Sequence, residues 1–389
     1  MIFLIDGHSI AFRAFYALPE TLETKDGFPT NVIHGFLMML SKLVNNYDVE
    51  KIIITWDVSK KTFRNEIYED YKANRSSSPD NFKIQINKLQ SLLTKFNLPQ
   101  VSLEGFEADD VLGSLSKHFN KKNKKVTIVT GDRDSFQLIS SKTHVMYTKR
   151  GISDVEIFDS NVFTEKYQIN TNQYIEYLAL KGDKSDNIPG LPGVGEKTAI
   201  SLLLKYKKIS NIYKNLDELT PKLKSNFEEH KDLLNMSKDL ATIKTDLDLE
   251  IPTTNLSETI FLDNKVLEDS GNEISKYELN RFLGERTNLN KNENEKEKLE
   301  IKLLDKNIDV LSIVFNFENK NYFVNNDEFG EFESLLNFNN IISLSSQKLF
   351  NEFQIEKTDK FIAYDCMLFL LDPSIRPDNL LSIVKYLDQ

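Results

Sequence analysis

Cysteine is nearly absent: Cys366 is the only one in 389 residues, and the five histidines are scattered. An internal disulfide is therefore impossible, and neither a Cys-based zinc cluster nor a histidine metal site is supported. The same scarcity points to a reducing, cytoplasmic compartment. Long apolar runs are missing too, none approaching the roughly 20 residues of a membrane span. The opening "MIFLIDGHSI" has no basic leader and reaches Asp6 too early for a signal peptide. Positive charge is in deficit, with 49 Lys and Arg against 59 Asp and Glu and a net charge of −10. Evenly spread, that balance would argue against a nucleic-acid partner, because phosphate neutralisation calls for Lys and Arg. It is not evenly spread.

A hydrophobic content of 40% over 389 residues allows two or three packed units. Three apolar runs, "MIFLID", "KIIITWD" and "KKVTIVTGDRD", read as buried strands of a parallel sheet: short, rich in Ile and Val, without clear alternation. Each ends in Asp. Between them lie helical patterns, "NVIHGFLMMLSKLVNNY" with Ile33, Phe36, Leu37, Leu40, Leu43 and Val44 on one stripe, and "FKIQINKLQSLLTKF" with Ile86, Leu89, Leu93 and Phe96. Alternating strand and helix predicts a doubly wound α/β sheet, in which Asp6, Asp57 and Asp132 emerge together at the carboxyl ends of the strands.

Further carboxylates surround these. "FEADD" places Glu107, Asp109 and Asp110 at a helix start, "GDRD" adds Asp134 to Asp132, and "GDKSD" supplies Asp183 and Asp186. Any one of them alone fits equally well as a helix N-cap or turn former. Gathered at one sheet edge, they hold more negative charge than a fold leaves unpaired, and oxygen-only ligands select hard divalent ions such as Mg²⁺ or Mn²⁺. Two such ions about 4 Å apart suit metal-assisted phosphodiester hydrolysis.

"KKTFRNEIYEDYKANRSSSPDN", residues 60 to 81, is basic and aromatic. At helical spacing Arg64, Tyr68, Lys72 and Arg75 share a stripe, Phe63, Ile67 and Tyr71 lie beside it, and Glu66, Glu69 and Asp70 face away. Cations interleaved with rings suit single-stranded nucleic acid, and an ordinary amphipathic surface helix is the competing reading. The position directly after Asp57 favours a segment that guides a strand into the metal site.

"GDKSDNIPGLPGVGEKTA", residues 182 to 199, nearly spells a P-loop, but Glu196 stands where the lysine of that motif belongs. No ATP site is expected. Instead Gly193 and Gly195 let backbone N–H groups approach a phosphate at the start of the next helix, with Lys197 and Thr198 beside them. Beyond about residue 172 the strand signal fades into helices separated by Gly/Pro turns, running to about residue 250. Residues 286 to 300 are polar and of low complexity and read as a linker. After them "IDVLSIVFNFENKNYFV" reads as a hairpin, "NIISLSS" as a strand and "CMLFLLD" as a helix, together a small third α/β unit.

"FLIDGHSIAFRAFYAL", "TWDVSKKTFRNEIYEDYKANR", "EGFEADDVLGSL", "VTGDRDSFQLI", "GDKSDNIPGLPGVGEKTA" and "LATIKTDLDLE" resemble successive motifs of the 5′ nuclease domain at the amino end of bacterial DNA polymerase I, a relative of flap endonucleases. The match runs from residue 2 to about 285, in order. The resemblance implies a PIN-like catalytic domain over 1–172 and a helical, helix-three-turn-helix DNA-binding subdomain over 173–285. The implied activity is a structure-selective 5′-3′ exonuclease and flap endonuclease that removes RNA primers in replication and repair and leaves a 5′-phosphate and a 3′-hydroxyl. The implied partners are DNA with a 5′ flap, nick or RNA primer and replication or repair proteins, for a monomeric, nucleoid-associated cytoplasmic bacterial enzyme. One metal position is implied for residues matching Asp6, Asp57, Glu107, Asp109 and Asp132, and the other for Asp110, Asp134, Asp183 and Asp186. Arg13, Lys72 and Arg75 match phosphate contacts, Tyr71 matches a ring near the substrate strand, and a K⁺ ion is implied among the turn carbonyls of residues 190–197.

"DCMLFLLDPS" resembles the middle of the 3′ proofreading exonuclease domain of the same polymerase, so residues 301–389 read as a partial, ribonuclease H-like unit. Its first strand, "DVLSIVFNF", has nothing acidic between Asp309 and Glu318, and Glu352 is out of place for the next expected carboxylate. A degenerate, non-catalytic module is expected, in a shortened protein or a fragment without polymerase activity. The competing functions are a branched-DNA binding or scaffold protein that does not cut, and an RNA-directed PIN-type nuclease, which would lack the Gly/Pro-rich helical unit.

Overall fold

The computed structural model describes residues 1–279, apart from 60, 76 and 151–153, then residue 282 and the backbone of three short strands further on. Strand β1 (Ile2–Asp6) leads through α1 (Gly7–Ala17) and α2 (Asn31–Asn46) to β2 (Lys51–Thr55). Then come α3 (Phe63–Ile67), α4 (Asp80–Lys95), β3 (Gln100–Val101), α5 (Ala108–Lys121), β4 (Val126–Thr130), β5 (Thr143–Arg150) and β6 (Asp154–Phe158). The sheet order is β3-β2-β1-β4-β5-β6, parallel except for the antiparallel β6. Ile2 pairs with Lys51 on one side and Val126 on the other, so β2, β1 and β4 run abreast and end together.

Alternate residues of the central strands feed two cores. Phe3, Ile5, Ile52 and Ile54 pack on one face with the stripes expected of α2 and α4, including Ile33, Phe36, Leu40, Ile86, Leu89, Leu93 and Phe96. Ile2, Leu4, Ile53, Val126 and Ile128 pack on the other face with Val111, Leu112 and Leu115 of α5. That second core continues into the helices α6 (Ser160–Tyr167), α7 (Tyr174–Lys181), α8 (Glu196–Tyr206), α9 (Ile209–Lys214), α10 (Pro221–Glu229) and α11 (Lys231–Ala241). The chain returns to the first core through α12 (Asn264–Asp269) and α13 (Gly271–Lys276). Among the described residues no helix is long and apolar enough to cross a membrane.

The basic segment departs from its expected form. Helix α3 stops at Ile67, and Lys72 has a left-handed φ of +57°, so no helical stripe joins Arg64, Tyr68, Lys72 and Arg75. The reason is a tertiary dock that replaces helical bonding. Lys72 N donates to Asp186 O at 3.0 Å, Asn74 Nδ2 to Lys184 O at 2.7 Å, and Asn187 Nδ2 to Asp70 O at 2.8 Å.

The chain divides into two compact units, residues 1–290 and 291–389. In that second unit β7 (Lys302–Leu303), β8 (Ser312–Phe317) and β9 (Lys320–Asn325) form an antiparallel sheet in that order. The expected hairpin is the β8–β9 pair, with Ser312 opposite Asn325. The 286–300 linker, the "NIISLSS" strand and the "CMLFLLD" helix lie outside the described residues.

Candidate active site

The carboxyl edge of the sheet begins with Asp6, the last residue of β1 and the N-cap of α1, buried with both oxygens engaged. It accepts from Ser9 N at 3.1 Å and from Thr130 Oγ1 at 2.7 Å, which ties β1 to β4. Asp57, two residues past β2, accepts Ala108 N of α5 at 2.8 Å and lies 3.4 Å from His8 Nδ1. Asp132, just past β4, accepts Asp134 N at 2.9 Å. Asp109 accepts Ser135 Oγ at 3.3 Å. No hydrogen-bond donor within the described residues reaches the Asp134 carboxylate.

Burial pushes Asp6 up to about 6, and Asp57 and Asp132 add to the shift by repulsion. Burial, then Asp132 and Asp6, raise Asp109 well above the ordinary carboxylate range; burial, then Asp132, Asp186 and Asp183, do the same to Asp134. Asp132 is raised chiefly by burial. Asp57 is the exception: burial works to raise it, but His8 and the Ala108 N–H outweigh burial and hold it below the usual value. Eight of the nine expected metal carboxylates thus act on one another.

Asp110 is fully buried, its oxygens taken by Arg64 at 2.7 and 2.9 Å, Lys244 N at 2.8 Å and Glu107 N at 3.1 Å. Its two oxygens already carry four donors, which weighs against its expected place among the metal ligands. Arg64 is likewise committed within the fold: 2% exposed, it also donates to Leu240 O and Thr242 O, which weighs against its expected substrate contact. The expectation gave Asp110 to a metal and Arg64 to substrate, because neither segment by itself shows that the two residues, 46 apart in the chain, pair with each other.

Tyr71, Lys72 and Arg75 lie among the carboxylates. Tyr71 is buried, its hydroxyl 3.2 Å from both Glu107 and Asp186. Lys72 Nζ is 2.8 Å from Glu107 and 3.5 Å from Asp186, and Arg75 pairs with Asp186. Burial alone would lower Lys72, but Glu107 and Asp186 outweigh it and keep the ammonium charged. Among the described residues no three acidic or histidine side chains close on a common point as a finished metal site. The donor chemistry nevertheless fits hard divalent cations: oxygen-only groups, several held towards their neutral forms by burial and by each other's charge.

Residues 182–190 form a tight loop closed by Asp183 N to Ile188 O at 2.9 Å and Ile188 N to Asp183 O at 2.7 Å. Its two ends touch. Gly190 has φ +68°, and a Cβ there would stand 2.4 Å from Gly182 N. These two glycines present Asp183 and Asp186, and the repeated Gly flanking "DKSDNIP" was the signal for them. Gly193 (φ +76°) and Gly195 are exposed in the turn before α8, with Lys197 exposed and Thr198 half-buried in its first turn. Arg13 donates to Lys149 O at 3.1 Å and approaches Gly131 O at 3.5 Å, beside Asp132. His8, Ser9, Thr130 and Ser135, which orient the carboxylates, carry no motif signal beyond their closeness to Asp residues.

The arrangement defines a carboxylate-edged α/β hydrolytic site joined to a helical subdomain. Residues 1–168 match the 5′-3′ exonuclease N-terminal resolvase-like domain, and residues 169–261 match the 5′-3′ exonuclease C-terminal SAM fold. The chain belongs to the 5′-3′ exonuclease family, a family of nucleases. It is 40% identical over 254 residues to DNA polymerase I of Bacillus subtilis, covering 65% of this chain and 29% of that protein. It is 38% identical over 262 residues to DNA polymerase I of Mycobacterium bovis, covering 67% and 28%. The chain thus spans less than a third of the length of these curated relatives. In fold it is similar to the T5 D15 protein co-crystallised with metal ions, with a TM-score of 0.54 and 18% identity over 74% of this chain and 98% of that one. It is also similar to the bacteriophage T5 flap endonuclease in a complex with DNA and metal ions, with a TM-score of 0.52 and the same identity and coverage.

Proposed function

We propose that the chain is a structure-selective 5′ nuclease that hydrolyses DNA phosphodiesters near the junction of a 5′ flap and duplex, leaving a 5′-phosphate and a 3′-hydroxyl. RNA primers ahead of a nick are substrates of the same kind. The observation that carries this reading is the gathering of eight mutually repelling carboxylates at the carboxyl ends of β2, β1 and β4. Membership of an exonuclease family and the DNA and metal ions in the T5 complex support it.

Two Mg²⁺ ions, replaceable by Mn²⁺, fit the edge. Asp6, Asp57, Glu107, Asp109 and Asp132 would hold one, and Asp134, Asp183 and Asp186 the other. Such cations supply a Lewis acid and offset the carboxylate charge. The chain's own residues do the rest. Lys72 and the half-exposed Arg75 present positive charge to the phosphodiester oxygens, where charge develops during displacement. Arg13, held by two backbone carbonyls, meets a neighbouring phosphate. Gly193, Gly195, Lys197 and Thr198 at the start of α8 grip the duplex, with K⁺ at the carbonyls of the 190–197 turn. Tyr71 positions Glu107 and Asp186 from beneath. The catalytic domain is 1–172 and the DNA-binding helices 173–285. Product mapping on a labelled 5′-flap DNA tests the reading. Cleavage at the junction with Mg²⁺ and none in chelator is expected, and binding without cleavage in both Mg²⁺ and Mn²⁺ would overturn it.

A further inference from the structure

A second polar cavity, of about 370 Å³, opens between the β5–β6 edge and the start of α8 and is assigned no role by the site described above. Its walls carry Arg133, Lys149 and Lys166, the rings of Tyr147 and Tyr167, and two acids, Glu156 and Glu196. Glu156 takes Lys149 at 2.8 Å and Lys166 on its two oxygens, and Glu196 lies near Tyr177.

Arg133 is the odd group. It stands between Asp132 and Asp134 in sequence, yet it is exposed and pairs with no carboxylate among the described residues. Its guanidinium lines this cavity, 5.7 Å from the centroid of the Tyr147 ring. An arginine donates only, so this guanidinium calls for an acceptor. A cavity lined by a guanidinium that pairs with no carboxylate among the described residues, by two tyrosines and by two ammonium groups sharing one carboxylate suits an anion with several oxygens.

Position says which anion. The Arg13 guanidinium bonds the carbonyl of Lys149, so this cavity begins where the proposed phosphate contact of the cutting site ends. Glu196, at its other rim, is the first residue of α8 and lies beside Gly195 and Lys197. We infer that the Arg133 cavity is a phosphate-binding subsite that receives a backbone phosphate of the duplex on its way from the cutting site to α8. This rests on the nuclease reading and deepens it, because it gives the duplex a third fixed point between the carboxylates and the α8 turn.

The test is equilibrium binding of a fluorescent 5′-flap DNA in Ca²⁺, as a function of KCl, for the full chain and for Arg133→Ala, Arg133→Lys and Lys166→Gln. Loss of one phosphate contact is expected to weaken Arg133→Ala by about tenfold and to make the salt slope shallower by about 0.9, with Arg133→Lys recovering most of both. Lys166→Gln, on α6 and remote from the carboxylates, is expected to weaken binding in the same direction, so the inference does not hang on one variant. Unchanged affinity and slope in both Arg133→Ala and Lys166→Gln, with the wild type binding and cutting normally, overturns the subsite and leaves the nuclease standing. A wild type that neither binds nor cuts flap DNA overturns both.

Discussion

Arg64 and Asp110 face each other in a buried, two-pronged ion pair, with bonds of 2.7 and 2.9 Å and neither side chain more than 3% exposed. Arg64 then reaches the carbonyls of Leu240 and Thr242, so the pair fastens the end of α11 to the start of α5. Breaking it leaves a buried charge without its partner. Arg64→Ala or Asp110→Asn is expected to cost about 3–5 kcal/mol of stability in a denaturant titration. A loss below about 1 kcal/mol in both would show that the pair holds nothing in place.

Gly190→Ala should be destabilising out of proportion to one methyl group. The added carbon would meet Gly182 N at 2.4 Å in a backbone that already has φ +68°. Strain of this kind is worth about 1–3 kcal/mol, and the loop carrying Asp183 and Asp186 must shift to relieve it. Thermal melting and flap cleavage should fall together, whereas Gly195→Ala, with open space around its Cβ position, should melt like the wild type.

Asp132→Ala combined with Asp134→Ala removes the carboxylates on which the two proposed cation positions converge. Cleavage of a 5′-flap substrate should drop below detection while circular dichroism stays native. Full activity in that double variant would remove the assignment of the site.

In chelator, stability should fall as pH rises from about 4 through about 6. The folded chain keeps protons on Asp6, Asp109 and Asp134 that the unfolded chain has released, because burial and mutual repulsion raise all three. Where the folded state binds more protons, stability declines with pH. Melting temperatures with EDTA should therefore decline across that window, and Mg²⁺ should restore them above pH 6. A flat or rising EDTA curve would contradict the electrostatic picture.

Lys197→Ala should weaken duplex binding and lower its salt dependence by about one phosphate contact. Anisotropy against KCl measures both. An unaltered slope would place the duplex elsewhere on α8.

The α/β class, the three buried strands and the edge on which Asp6, Asp57 and Asp132 emerge were legible in the sequence. Strand periodicity and parallel topology are local signals, and together they decide which ends share an edge. The apolar stripes of α2 and α4 followed from the same kind of spacing. Tertiary structure decided what spacing alone does not encode. Arg64 and Asp110 look like surface charges in their own segments, but partners at Leu240, Thr242 and Lys244 turn them into a buried brace. The helical stripe through Lys72 and Arg75 gave way to a left-handed turn, because the 183–188 loop offered its backbone groups in place of helical ones. Residue types therefore set the chemistry the chain could perform. Contacts across more than a hundred residues determined which carboxylates remain available for it, because a charge is free or committed according to what the fold packs against it.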